Sequence, residues 1–247
     1  MAIKSDPEIK REPSQDWQKS KWAYILAIVI GIIPAYMIPF YFSMQDSVGG
    51  FAPDSMLNYM IFFGGGMSLI LVFILRFLNG EKVEDLNLKD GNWWKDILLG
   101  IALMVATLGV FMLTRNLISG LFPPQQSSDL DPLFDRILND TTFFLLLTGP
   151  GLLIGAGIFE ELTRIFLLSR LWKIWENPIW RWVTVLLSGI LFGLMHSYQG
   201  PAGVLSTGIS GLIMGIFYLQ FGRIFPMVIA HYLHDALQFV MVYVMFR

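Results

Sequence analysis

The sequence predicts an all-α membrane protein, a polytopic transmembrane helical bundle of about seven spans with a cytoplasmic N-terminus. Of the 247 residues, 55% are hydrophobic and only 15% are charged, whereas a soluble domain carries about 25% charged residues. The apolar residues form continuous runs of roughly 20 residues, the length that a helix needs to cross a bilayer. These runs do not alternate with polar residues, which excludes the strands of a transmembrane barrel.

Composition also narrows the possible functions. The formal net charge of −2 gives no basic field, so no nucleic-acid partner is expected. The chain has no cysteine, which excludes disulfides, thiolate metal sites and a cysteine nucleophile. We expect a multi-pass protein of the cell (plasma) membrane, and the small size and compact loops favour a prokaryotic source.

One membrane domain is expected, in three parts. Residues 1–21 are predicted to be a cytoplasmic tail, since they are too long and too acidic for the n-region of a signal peptide. Residues 22–141 hold the N-terminal helices and loops, and residues 142–247 form a helical core with the ionisable residues described below. The predicted spans are 22–43, 56–75, 97–118, 142–168, 182–197, 203–221 and 225–245.

The fourth run is overlong and contains Gly149, Pro150 and Gly151. Proline removes a backbone donor, so this segment is expected to bend the helix or to split it in two. A split would give eight spans. Seven spans agree better with the loop charges, because an extra span would break their alternation.

Lysine and arginine mark every second loop. The N-terminal tail, residues 76–96 and residues 169–181 are basic, whereas residues 44–55 and 198–202 contain neither. Because basic loops stay in the cytoplasm, the N-terminus is predicted inside and the C-terminus outside.

Ionisable residues inside spans are the main functional signal, since each costs roughly 2.5–3.5 kcal/mol at the bilayer centre. Arg164 lies four residues after Glu160 and three after Glu161, so either glutamate can pair with it. The two glutamates are about 100° apart on a helix. We therefore expect one to act and the other to be held by Arg164. The alternative is a buried structural salt bridge.

The histidines give the second part of this signal. His231 and Asp235 are four residues apart and share one helix face, where a buried hydrogen bond is the simpler interpretation. His196 ends the fifth span, where a lone histidine is usually an interfacial hydrogen bonder. His234 is expected to pack or to support its neighbours, within reach of Gln238.

Helix depth indicates that these groups can meet. At 1.5 Å per residue, Glu160, His196 and His231 lie roughly 10–20 Å from the predicted cytoplasmic ends of their helices. They are expected to converge near mid-membrane in a site that opens toward the cytoplasm. Two imidazoles and a carboxylate can hold a metal or a water, and a further glutamate can take its proton, which suits hydrolysis. The HExxH motif of soluble zinc proteases is absent.

Three motifs in this order resemble the CAAX protease and bacteriocin-processing (CPBP, or Abi) family of intramembrane proteases. The family pattern is EExxxR in one span, FxxxH in a later span and HxxxN/D near the C-terminus. The resemblance covers roughly residues 142–246. The matching residues are Glu160, Glu161, Arg164, Phe192, His196, His231 and Asp235.

The resemblance implies a role for each matched residue. Glu160 would activate the water, while His196 and His231 would bind it, stabilise the oxyanion or bind a metal. Asp235 would orient the neighbouring groups or bind the metal. If a metal is used, zinc held by these four residues is expected; a metal-free mechanism in which the glutamate activates the water fits the same residues.

The arginine of the first motif departs from the family spacing. Two residues rather than three separate Glu161 from Arg164, and Ile165 occupies the usual arginine position. By resemblance, Glu161 and Arg164 would position Glu160. The third motif ends in Asp235 rather than in the commoner asparagine, which adds a charge.

The predicted function is an intramembrane endopeptidase, with a peptide or a membrane protein as substrate. Prenylated C-terminal tails, bacteriocin or signalling-peptide leaders and other membrane proteins are the candidate substrates. The alternative is a non-catalytic immunity or scaffold protein that acts through a partner. A transporter is disfavoured because no internal repeat is evident. The sequence does not predict the oligomeric state.

Overall fold

The computed structural model describes residues 17–38, 52–86, 88–89, 91–119 and 131–247, and these residues form helices and connections without strands. Within this part of the chain, seven helices are long and apolar enough to cross a membrane. The predicted all-α bundle of about seven spans is therefore confirmed. Most of the predicted tail and of the loops after the first and third spans lie outside the described residues.

The helices are numbered here in chain order. They are α1 (Lys21–Ile38), α2 (Pro53–Leu78), α3 (Trp93–Ser119), α4 (Asp131–Asn139), α5 (Thr141–Ile174), α6 (Pro178–Met195), α7 (Gly200–Phe221) and α8 (Ile224–Phe246). All except the short α4 are candidate spans. A 3₁₀ turn, Ser197–Gln199, joins α6 to α7.

Local sequence explains several helix ends. Pro53 and Pro178 stand in the first turns of α2 and α6, where the missing backbone N–H costs nothing. The Asn177 side chain caps α6 by accepting from the Ile179 N–H. Gly222 ends α7 in the left-handed region with φ 62°, a conformation that glycine adopts without strain.

Helix α5 is continuous through Gly149, Pro150 and Gly151. It widens into π-helical turns over Leu147–Gly151 and again over Leu153–Glu160. Such i→i+5 turns accommodate an interrupted hydrogen-bond ladder without ending the helix. The eight-span alternative is therefore wrong.

The ends of the helices form two faces of the bundle. One face, called the basic end, contains Lys21, Leu78, Trp93, Ile174, Pro178, Phe221 and Ile224. Ion pairs and hydrogen bonds join its parts, including Arg223 with Asp96 and Lys89 with the Gln220 carbonyl. The other face, called the opposite end, contains α4, where Arg136 pairs with Asp140.

The largest hydrophobic core fills the half of the bundle next to the basic end. Leu75 of α2, Phe166 of α5, Tyr218 of α7 and Met227 of α8 are buried in it. A buried ion pair lies beside this core, where Arg170 donates to Glu81 over 2.6 Å and to Asn79 over 3.0 Å. This half of the bundle is therefore closely packed.

Helices α6 and α7 approach closely at Gly193. A Cβ atom there would lie 2.4 Å from the Val204 carbonyl oxygen and 3.0 Å from the Gly208 Cα. Because both are backbone atoms, α7 would have to shift, and we expect Gly193→Ala to destabilise the fold by about 1–3 kcal/mol.

Thermal unfolding in detergent measures this effect. Gly66→Ala is the matched control, since a Cβ at this helical glycine meets nothing within 4 Å. Alanine is the better helix former, so the control should keep or slightly raise the unfolding midpoint. Equal losses at both positions would contradict the packing described.

Candidate active site

Three helices bring the predicted site residues to one cavity of about 610 Å³. Helix α5 supplies both glutamates and the arginine, α6 supplies Phe192 and ends at His196, and α8 supplies a histidine and an aspartate. All of them line this cavity: Glu160, Glu161, Arg164, Phe192, His196, His231 and Asp235.

Glu161 lies at the centre of a buried network and is fully inaccessible to solvent. Its Oε1 is 2.7 Å from Nδ1 of His231, and its Oε2 is 3.1 Å from Nε of Arg164. A second arginine contact, from Nη2 to Oε1, measures 3.3 Å. Because a carboxylate oxygen accepts, Nδ1 of His231 is the donor and carries a proton.

Arg164 links three helices from a position that is 1% exposed. Beside its contacts with Glu161, its Nη1 donates to the Gly211 carbonyl of α7 over 2.9 Å. Its guanidinium carbon also lies 4.3 Å from the centre of the Phe192 ring, within the range of a cation–π contact. The displaced arginine thus faces the second glutamate at an i,i+3 offset, and the structure places no contact between it and Glu160.

The other edge of the His231 ring faces two further carboxylates. Nε2 of His231 is 3.7 Å from Oε2 of Glu160 and 3.7 Å from Oδ2 of Asp235. The Glu160 and Asp235 side chains are 28% and 27% exposed, respectively. Oε2 of Glu160 is itself buried and accepts no hydrogen bond from the described residues. An acceptor of this kind is costly to bury, and it lies beside the cavity.

His196 occupies another part of the cavity wall. Its Nδ1 lies 2.8 Å from the Phe192 carbonyl oxygen, so Nδ1 is the donor, and in the neutral ring Nε2 is the acceptor. The Phe192 ring contacts both histidines, with centroid distances of 4.7 Å to His196 and 5.8 Å to His231. The three rings thus form one continuous wall.

Helix α3 contributes residues that the sequence motifs missed. Oγ1 of Thr107 is 3.2 Å from Nδ1 of His234, and the edge of that ring meets Phe111 at 5.4 Å. His234 therefore packs against α3, while Gln238 contacts only its backbone carbonyl. Thr107 belongs to no motif in its long apolar helix, so no sequence pattern would have singled it out.

The cavity continues from the site toward the opposite end of the bundle. Its outer wall includes Arg115 of α3, Phe134 of α4, Gln199 of the 3₁₀ turn and Val242 of α8, all of which lie near that end. The hydrophobic core fills the other direction. The cavity therefore extends away from the basic end, and the opening toward the cytoplasm stays a prediction. Helix depth measures the distance to an end but not which half is packed.

The positions of the donor groups bear on whether the site could hold a metal ion. Within the described residues, no three His, Asp or Glu side chains stand in an arrangement that could hold one. Zinc held by Glu160, His196, His231 and Asp235 stays a prediction, and no step below uses a metal.

Fold and site together define a polytopic membrane protein with a buried glutamate–histidine network between its helices. Residues 142–237 match the family described as type II CAAX prenyl endopeptidase Rce1-like. The match contains all three motifs and confirms the resemblance to the CPBP proteases. This is a protease family, which supports an enzyme that acts on a peptide or protein within a membrane. Comparisons with curated proteins and with solved structures gave no match.

Proposed function

We propose that this protein is an intramembrane endopeptidase in which Glu160 activates the attacking water. One observation carries the proposal: a buried oxygen of Glu160 without a hydrogen-bond partner lies 3.7 Å from Nε2 of His231 beside the cavity. The family match over residues 142–237 supports the class of reaction.

The contacts of the two glutamates separate their roles. Both oxygens of Glu161 are bonded, to Arg164 and to His231, so this carboxylate is poorly placed to take a proton from water. Glu160 has an oxygen free of such bonds, and a general base must reach its proton within hydrogen-bond distance. Glu160 is therefore the base, and Glu161 orients His231.

The reaction follows from these positions. A water held beside Glu160 loses a proton to the carboxylate as its oxygen forms a bond to the carbonyl carbon of the peptide. The resulting tetrahedral intermediate carries a negative oxygen. Glu160 then returns the proton to the leaving nitrogen as the C–N bond breaks, which gives a carboxylic acid and an amine.

The histidines and Asp235 act around this step. Nδ1 of His231 is held by Glu161, which aims Nε2 at the space between Glu160 and Asp235. When the ring is the imidazolium, Nε2 also carries a proton, and this donor stabilises the negative oxygen, the kind of interaction that contributes strongly to hydrolysis. Nε2 of His196, with its other nitrogen bonded to a backbone carbonyl, orients the water or the peptide.

A cleavage assay tests the proposal. The full chain is placed in lipid vesicles with a mixture of proteome-derived peptides, and new peptide termini are measured by mass spectrometry. We expect products from the unchanged chain, and at least about 100-fold less from Glu160→Ala, because a general base contributes 10²–10⁴-fold. A similar loss is expected from His231→Ala, because removing one oxyanion donor costs about 10²–10³-fold. Glu84→Ala is the matched control, since Glu84 is exposed at the basic end.

The same variants distinguish the endopeptidase from the alternative function. A non-catalytic immunity or scaffold protein would keep its full biological activity in both Glu160→Ala and His231→Ala. That result, with equal product formation in all variants, would reject the endopeptidase.

A further inference from the structure

The part of the cavity wall that α3 and α8 share contains a third histidine, which the proposed reaction does not use. His234 and Thr107 lie near the middle of these helices. Both line the cavity, and they are only 7% and 1% exposed, respectively. Nδ1 of His234 is 3.2 Å from Oγ1 of Thr107, and its ring meets Phe111 edge-on at 5.4 Å. Two contacts with α3 therefore fix the orientation of this ring.

The threonine determines which nitrogen of His234 carries the proton. Oγ1 of Thr107 donates its single proton to the Met104 carbonyl over 3.1 Å, so toward the ring it is the acceptor. Thr184 makes the same pair of contacts, since it donates to a carbonyl of its own helix and accepts from Nε1 of Trp172, a group that can only donate. Nδ1 of His234 is thus the donor, and Nε2 of the neutral ring is the acceptor.

Nε2 of His234 is available to a molecule in the cavity. The hydrogen bond of this ring to the described side chains uses Nδ1, and Nε2 is not one of the enclosed polar atoms that lack a partner in that part of the chain. Nε2 therefore keeps accessible surface on a side chain that lines the cavity. The structure presents this acceptor in an orientation that is set before anything binds.

We propose that Nε2 of His234 accepts a hydrogen bond from a backbone N–H of the bound peptide, which makes His234 a substrate-positioning residue. The proposal rests on the proposed function. An extended peptide brings an N–H group with each residue, and an N–H left without an acceptor in a cavity rich in apolar side chains weakens binding. Because His234 directly precedes Asp235, the bonded N–H lies close to the proposed reaction centre.

Asparagine and glutamine at position 234 distinguish the two nitrogens of the ring. The amide of glutamine reaches the position of Nε2, whereas the shorter amide of asparagine reaches that of Nδ1. The substrate is the peptide cleaved fastest in the mixture described above, with the full chain in lipid vesicles. We expect His234→Asn to raise KM about 10-fold and to keep kcat within about twofold, since one hydrogen bond of about 1.4 kcal/mol is lost. His234→Gln should keep KM near that of the unchanged chain.

Thr107→Val removes the group that orients the ring and should also raise KM. Thr184→Val is its matched control, because this hydroxyl makes the equivalent contacts with Trp172 on another pair of helices. If His234 only ties α8 to α3, the pattern is reversed, with an unchanged KM in His234→Asn and a lower unfolding midpoint in His234→Gln. That pattern, or an equal KM in all variants, would overturn the proposal and leave the endopeptidase in place.

A chemical label tests the binding role without cleavage. The chain has three histidines, all of which line the cavity, and diethyl pyrocarbonate modifies accessible, unprotonated imidazole nitrogens. Mass spectrometry measures the modification of His234 in Glu160→Gln, with and without the same peptide mixture. We expect modification without peptides and several-fold slower modification with them.

The two proposals can therefore fail separately. If the unchanged chain cleaves no peptide, the endopeptidase is rejected, and protection of His234 by the peptides still supports its binding role. An unreactive His234, or a reactive one that the peptides do not protect, would overturn the role of His234 whether or not cleavage occurs.

Discussion

Glu160→Gln is expected to reduce peptide cleavage at least about 100-fold while leaving the thermal unfolding midpoint unchanged. Glutamine has nearly the shape of glutamate but cannot take a proton from water. Because Oε2 of Glu160 accepts no hydrogen bond from the described residues, replacing it removes no hydrogen bond to that oxygen. Cleavage in lipid vesicles and thermal unfolding in detergent, measured on the same preparation, give the two quantities.

Glu161→Gln is the matched comparison, one residue along the same helix. It leaves the guanidinium of Arg164, which is 1% exposed, without its carboxylate. Removing one partner of a buried ion pair costs about 3–5 kcal/mol, so this variant should unfold at a clearly lower temperature. If Glu160→Gln destabilises the protein while Glu161→Gln does not, the assignment of the two glutamates is reversed.

Arg164→Met is expected to destabilise the fold by about 3–5 kcal/mol and to reduce cleavage as well. The change leaves the inaccessible Glu161 with His231 as its partner and removes the bond to Gly211. The double variant Glu161→Gln/Arg164→Met should recover much of the stability, because no uncompensated charge remains buried. It should not recover cleavage, since His231 loses the carboxylate that orients it.

Arg170→Met separates a positioning role from a merely structural one. Arg170 is equally buried, but its partners are Glu81 and Asn79, near the basic end. We expect it to lower stability while leaving the cleavage rate per folded molecule near that of the unchanged chain. Equal rate losses per folded molecule in Arg164→Met and Arg170→Met would argue against a specific role for Arg164.

The sequence predicted the spans well because bilayer thickness imposes a length on apolar runs. The continuity of α5 was harder to predict, since a proline inside a helix usually ends it. Pro150 is tolerated here because the helix widens into π-helical turns. The motifs identified seven of the residues that line the cavity. Their spacing left the partner of Arg164 open, because both i,i+3 and i,i+4 offsets allow a contact.

Other features of the site depend on packing between distant segments. The contact between Thr107 and His234 joins residues 127 positions apart, and no local pattern signals it. The direction of the cavity depends on which half of the bundle large side chains such as Phe166 and Tyr218 fill. Helix depth alone contains no information about that choice.

The buried network also bears on how the protein enters the membrane. Helix α5 carries Glu160, Glu161 and Arg164, and the last of these bonds to Gly211 of α7, while His231 of α8 bonds to Glu161. Each such charge is unfavourable in lipid until it is paired. The fourth span therefore gains its full stability in the bilayer only when the sixth and seventh spans have been synthesised and packed against it, which makes formation of the site a late step of membrane insertion.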